Sequence, residues 1–135
     1  MKRFWVIAIG KEQYWLQMVQ KAVDETSVIV ETLYFNTLDE FLHSDLRPDP
    51  DTLLLVDISG QTAVREMVQK LRKLGWQYVV AVAAIPSVKE AHAILHDAGG
   101  YDYWRKTYQI PVIRANLEKC LDELEMAYPA GGNHE

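Results

Sequence analysis

The sequence predicts an α/β fold: a single doubly wound, five-stranded parallel sheet of order 2-1-3-4-5 with helices on both faces. Three observations predict it. Apolar runs and helical stripes alternate along the chain with short connections, the pattern of strands joined by right-handed crossover helices. The run Thr52-Leu53-Leu54-Leu55-Val56-Asp57-Ile58-Ser59 is apolar on both faces, so it belongs in mid-sheet beneath helices on either side. That run closes on an acid, Asp57, and a later strand signal closes on a base, Lys106. In an open α/β sheet such carboxyl ends meet at one crevice.

Each element has its own signal. Phe4 to Ile9 is an apolar run followed by Gly10, a buried strand and then a turn. From Glu12 the period changes, and Trp15, Leu16, Val19, Ala22 and Val23 form one helical stripe. Residues 28–35 are rich in β-branched and aromatic side chains and read as the second strand. Thr37-Leu38-Asp39-Glu40 has capping-box form and opens a short helix through Phe41 and Leu42. Arg47-Pro48-Asp49-Pro50 then breaks the chain before the third strand. Val64, Met67, Val68 and Leu71 recur at helical spacing, with Gly75 placed to cap the helix C-terminus. Residues 78–84 are a fourth strand. Ser87-Val88-Lys89-Glu90 is a second capping box, leading a helix whose stripe is Val88, Ala91, Leu95 and Ala98, closed by Gly99. Residues 101–104 make a short fifth strand. Pro111 suits the first turn of a last helix that carries Ile113, Leu117, Cys120 and Leu124 on one face. We expect one domain over residues 1–128 and a flexible tail over 129–135.

Bulk properties narrow the function. At 135 residues, 49% hydrophobic and 24% charged, the chain has the size and composition of an ordinary globular domain. Its formal charge of -5 argues against a nucleic-acid surface, which needs a basic patch. Lys70, Arg72 and Lys73 do cluster, as a favourable helix C-terminus would have them. The single cysteine, Cys120, allows no internal disulfide and suits a reducing cytoplasm; its place on the apolar stripe reads as a buried structural thiol. Lys11 and Glu12 cut the first apolar stretch too short for a signal peptide or membrane span, so no membrane association is expected.

The predicted crevice collects Ala8, Ile9, Gly10 and Lys11 from the first strand, Asp57 and Ser59 from the third, Ala83 and Ala84 from the fourth, and Arg105, Lys106 and Thr107 from the fifth. Here the chain resembles the receiver domains of bacterial response regulators, whose fold is CheY-like or, more broadly, flavodoxin-like. The matching residues are Leu54-Leu55-Val56-Asp57-Ile58 and Ala98-Gly99-Gly100-Tyr101-Asp102-Tyr103 running on to Lys106. The resemblance implies that Asp57 stands at the phospho-acceptor position and Lys106 at the phosphoryl-sensing one. It places the switch at Ala83, Ala84 and Tyr103, and a partner or dimer surface on the fourth helix, fifth strand and fifth helix. The departures are equally specific. The acidic pair that helps hold magnesium in receivers is Ile9-Gly10 or Gly10-Lys11 here. The switch hydroxyl is an alanine, and the proline after the lysine is Thr107. Magnesium demands octahedral oxygen ligation, so Asp57 with Glu12 as the only other nearby acid makes a weak site. The expectation is therefore an atypical pseudo-receiver with no catalytic residue and no cofactor, magnesium entering only if phosphorylation operates.

Other signals have plain readings. His92 and His96 stand at i, i+4 spacing without a third zinc ligand and read as solvated helix residues. Gly99-Gly100 reads as a helix cap and turn, and Gly10-Lys11 lacks the rest of a P-loop. Glu12 reads as a solvated residue of the first helical turn. Tyr101, Trp104, Arg105 and Tyr108 gather around the fifth strand as interface candidates. Three functions stay in view. The first is a regulatory domain in two-component phosphorelay signalling that contacts a sensor kinase, an output protein or a second copy of itself. The second is a phospho-accepting receiver using Asp57. The third is a flavodoxin-like small-molecule binder, which lacks a phosphate loop after the first strand.

Overall fold

The structure, a computed structural model, describes residues 3–127. The predicted tail, 129–135, lies outside the described residues. The elements are β1 (Phe4–Ile9), α1 (Gln13–Asp24), β2 (Val30–Phe35), α2 (Leu38–Leu42), β3 (Thr52–Asp57), α3 (Val64–Leu74), β4 (Tyr78–Ala83), α4 (Val88–His92), β5 (Asp102–Arg105) and α5 (Ile110–Ala127). All strand pairs are parallel and the sheet order is β2-β1-β3-β4-β5, as the sequence predicts.

Alternation along the strands divides the core. Val6, Ala8, Leu53, Leu55, Val80 and Val82 pack with the buried stripes of α1 and α5. Ile7, Ile9, Leu54, Val56, Val79, Ala81 and Ala83 pack with Phe41 of α2, the α3 stripe and Ile94. A strand buried on both faces needs no polar side, which is why β3 reads as an unbroken apolar run. Register brings the carboxyl ends level: Ile9 opposes Val56, Asp57 opposes Val82, and Ala83 opposes Arg105. One edge of the sheet therefore carries every crevice residue named above.

The α3 terminus follows its sequence. Gly75 takes the left-handed conformation, and Arg72 donates to the carbonyls of Trp76 and Gln77 at 3.3 and 2.8 Å. The basic cluster there thus spends one of its charges on backbone. Cys120 is fully buried in the α1–α5 core, and burial, with Asp102 nearby, pushes its thiol up to about 12.

Three expectations are corrected. The predicted α4 stripe holds only at its end, where Ala98 is buried and Leu95 packs against the core; the helix continues as a π-helical turn over Ala93–Asp97. The wider turn brings Ile94 and Ala98 into the core, whereas Val88 is 89% exposed. Gly100 follows from that packing, since a Cβ there would lie 2.7 Å from the Ile94 side chain. The second capping box is only half formed. Both halves close at α2, where Thr37 accepts from Glu40 and the Glu40 carboxylate accepts from Thr37. At α4, Ser87 Oγ accepts from the Glu90 amide at 3.1 Å, but the Glu90 carboxylate turns to Tyr103. Trp104 is a core residue, 7% exposed, with its indole N–H donated to Asp102 at 3.0 Å, and is not available as surface.

Candidate functional site

The centre of the carboxyl edge is one ammonium between two carboxylates. Lys106 Nζ lies 2.8 Å from Asp57 Oδ2 and 2.8 Å from Glu12 Oε1. The lysine head is nearly enclosed, with its side chain only 10% exposed, and Asp57 is 8% exposed. The Trp15 and Tyr108 rings complete the surroundings, their centroids 5.8 and 5.9 Å from the ammonium, within cation–π range. Burial alone would pull the Lys106 ammonium down; the bonds to Asp57 and Glu12 outweigh it and raise it above the usual lysine range. Glu12 is held below the ordinary carboxylate range by Lys106 first and then by Tyr108, whose hydroxyl donates to it at 2.6 Å.

The sequence brings Asp57 and Lys106 to one pocket, and the structure joins them. Glu12 differs from its sequence reading. It is the residue before the first turn of α1, without a capping bond, and it reaches to Lys106 instead of remaining merely solvated. Gly10 explains how it reaches there. A Cβ at position 10 would lie 3.1 Å from the Trp15 ring and 3.2 Å from the Asp57 Cβ. The indole thus fills the space beside Asp57 that a side chain on β1 would otherwise occupy.

On the other flank, the backbone and two hydroxyls tie β3, β4 and β5 together. The Ser59 amide donates to Asp57 Oδ1 at 3.0 Å, and the Ala84 amide donates to Ser59 Oγ at 3.1 Å. The Lys106 amide donates to the Ala83 carbonyl at 2.8 Å, extending the β4–β5 ladder beyond Arg105. Tyr103 is latched to the start of α4: its hydroxyl donates to Glu90 at 2.7 Å and accepts from the Ser87 amide at 3.1 Å. Burial and then the Glu90 carboxylate raise the Tyr103 phenol. The sequence reading placed Ser59 in the crevice but not its bond, because the partner is a backbone amide 25 residues away.

The interface candidates separate. Arg105 is exposed at the end of β5. Tyr101 is half-buried, edge-on to Tyr78 and hydrogen-bonded to Glu123 of α5. Tyr108 is 42% exposed but belongs to the α1 flank, against Tyr14 with ring centroids 5.5 Å apart.

Comparison with protein-family models and with curated proteins finds no match. Solved structures do match. A response regulator from Thermotoga maritima aligns with a TM-score of 0.71 at 14% identity, over 90% of this chain and 99% of that one. A CheY-like response regulator receiver domain protein from Methanospirillum hungatei aligns with a TM-score of 0.68 at 19% identity, over 93% and 99%. An atypical orphan response regulator aligns with a TM-score of 0.62 at 19% identity, over 88% and 96%.

The chain has the receiver fold.

A receiver's magnesium ion is the natural group to test against these residues, and they do not fit it. Of the two carboxylates near the centre, each already gives an oxygen to Lys106, and Glu12 Oε1 also accepts from Tyr108. Gly10, directly after β1, lies against the Trp15 indole and supplies no carboxylate. Among the described residues no three acidic, histidine or cysteine side chains are grouped to hold a metal. At the end of β4, Ala83 and Ala84 carry no hydroxyl, and the Tyr103 hydroxyl is bonded to Glu90 and Ser87. Among the described residues no helix is long and apolar enough to cross a membrane.

Proposed function

We propose that this chain is a receiver-like regulatory domain of two-component signalling that acts through protein contact, without magnesium-dependent phosphorylation of Asp57. One observation carries the reading: Lys106 is bonded at 2.8 Å to both Asp57 and Glu12. Phosphoryl transfer to a carboxylate needs positive charge at the incoming phosphoryl oxygens. Here the positive charge is already shared between two carboxylates. The Tyr103 latch supports the same reading, because a face whose position depends on phosphorylation should not be tied down without it. A structural neighbour described as having a phosphorylation-independent regulatory mechanism gives the proposal a precedent within this fold.

The contact face we propose is α4–β5–α5, with Arg105, Lys89 and Val88 exposed and Tyr101 at its α5 border. A sensor kinase, an output protein or a second copy are its candidate partners, in the cytoplasm. The domain needs no catalytic residue for this.

The test is amide chemical-shift mapping during titration with magnesium and then beryllofluoride, on wild type and Asp57→Asn. We expect no saturable shifts around Asp57, Lys106 and Tyr103 at millimolar magnesium. Saturable shifts there that vanish in the variant would sink the proposal and establish Asp57 as a working phospho-acceptor.

A further inference from the structure

We infer that the cleft on the β2 side of Asp57 is a binding site for a small zwitterion of the amino-acid type, its ammonium toward Asp57 and Asp39 and its carboxylate toward Lys11. The cleft lies where the chain leaves β1 toward β2 on one side while β3 flanks it on the other, the point at which open α/β sheets part to leave a crevice. Its volume is about 380 Å³, within the range of small-ligand sites. Gly10 and Asp57 line it from the sheet, Lys11 and Asp39 from the rim, and Thr37 and Ser59 from the flanking loops.

The ligand class follows from charge. Asp57 and Glu12 share one ammonium, so the wall beside Lys106 keeps an excess of negative charge. Asp39 adds another carboxylate. Lys11 is the lone cation lining the cleft. Among the described residues neither the Lys11 ammonium nor the Asp39 carboxylate has a hydrogen bond or ion pair, and the two do not pair with each other. Opposite charges on one small cleft, neither neutralised by the protein, are complementary to a molecule carrying both signs. An anion such as phosphate meets the acidic wall. At the start of α2 two of the amides are already engaged, the Glu40 amide capped by Thr37 and the Thr37 amide taken by the Glu40 carboxylate. A bare divalent cation lacks a third ligand. Ser59 supplies a further polar contact, since its oxygen accepts from Ala84 and its proton remains to be donated. This site is separate from the α4–β5–α5 face, so it can fail or succeed independently of the partner reading.

The experiment is a chemical-shift titration of wild type, Lys11→Gln and Asp39→Asn with each standard amino acid, and with methylamine and acetate as single-charge analogues. Lys11 and Asp39 are both exposed, so both variants should melt with the wild type, which a thermal scan verifies. We expect at least one amino acid to give saturable shifts at Lys11, Asp39 and Gly60. Each variant should weaken its binding about tenfold or more, the scale of one charged hydrogen bond. Methylamine and acetate should bind more weakly than the zwitterion by a similar factor. Three results would each overturn the assignment: no amino acid saturates the shifts, the variants bind like wild type, or one analogue binds as tightly as the amino acid.

Discussion

Asp57 divides the carboxyl edge of the sheet into two unlike halves. Toward β5, the polar groups are paired: the Lys106 ammonium has two carboxylates, Glu12 has Tyr108, and Tyr103 has Glu90 and Ser87. Toward β2, Lys11 and Asp39 line an open cleft with no partner among the described residues. In the closed half each of these polar side chains is bonded to a neighbour. The difference teaches that the charges of this edge are neutralised on one side of Asp57 and left to solvent on the other. A charge such as Asp57, 8% exposed, is costly to leave unpaired, and Lys106 pairs it.

The sharpest way to break this contrast is Lys106→Met. Removing one partner of a nearly buried ion pair strands the other, so we expect a loss of about 3 kcal/mol in urea unfolding. Adding Asp57→Leu should recover much of that, because both charges are then gone. A double variant as unstable as the single one would show that Lys106 matters for packing and not for pairing. Tyr103→Phe should cost about 1 kcal/mol, the scale of the hydrogen bonds it removes. It should also speed amide exchange at Ser87, whose N–H loses its acceptor. Unchanged exchange there would mean the latch does not hold α4.

The smallest effect is a dependence on pH. Glu12 titrates below its unfolded value of about 4.3, so its contribution is present above that pH and lost as pH falls through the folded value. Lys106 titrates above its unfolded value of about 10.4, so its contribution is present below that pH and lost as pH rises through the folded value. The stability difference between wild type and Glu12→Gln should therefore hold at neutral pH and shrink in acid below about 4.3. A difference independent of pH would remove the ion pair from the account of Glu12.

The order of elements was legible because each signal is local. The unbroken run ending at Asp57, the α1 and α5 stripes and the Thr37–Glu40 box depend on residues a few positions apart. What sequence reading missed depends on distant partners. Nothing near Glu12 announces a bond to a lysine 94 positions later, and nothing near Glu90 announces that Tyr103 competes for its carboxylate. The π-helical turn shifts the α4 stripe by a single residue, which a fixed helical period cannot anticipate. Trp104 was misread because β5 is a four-residue edge strand, too short for its alternation to mark which side chains point inward. The pair Asp57–Lys106 was legible because both stand at strand ends, where topology alone determines their meeting.

The buried thiol has a practical consequence. Cys120 is the chain's sole cysteine, has no exposed surface, and its proton is held up to about 12, so almost none of it is thiolate at neutral pH. A maleimide dye or nitroxide offered to the native protein would leave it unmodified. A cysteine introduced at any exposed position, Arg105 for instance, would then be the only reactive one, and single-site labelling for distance measurements needs no cysteine-free background.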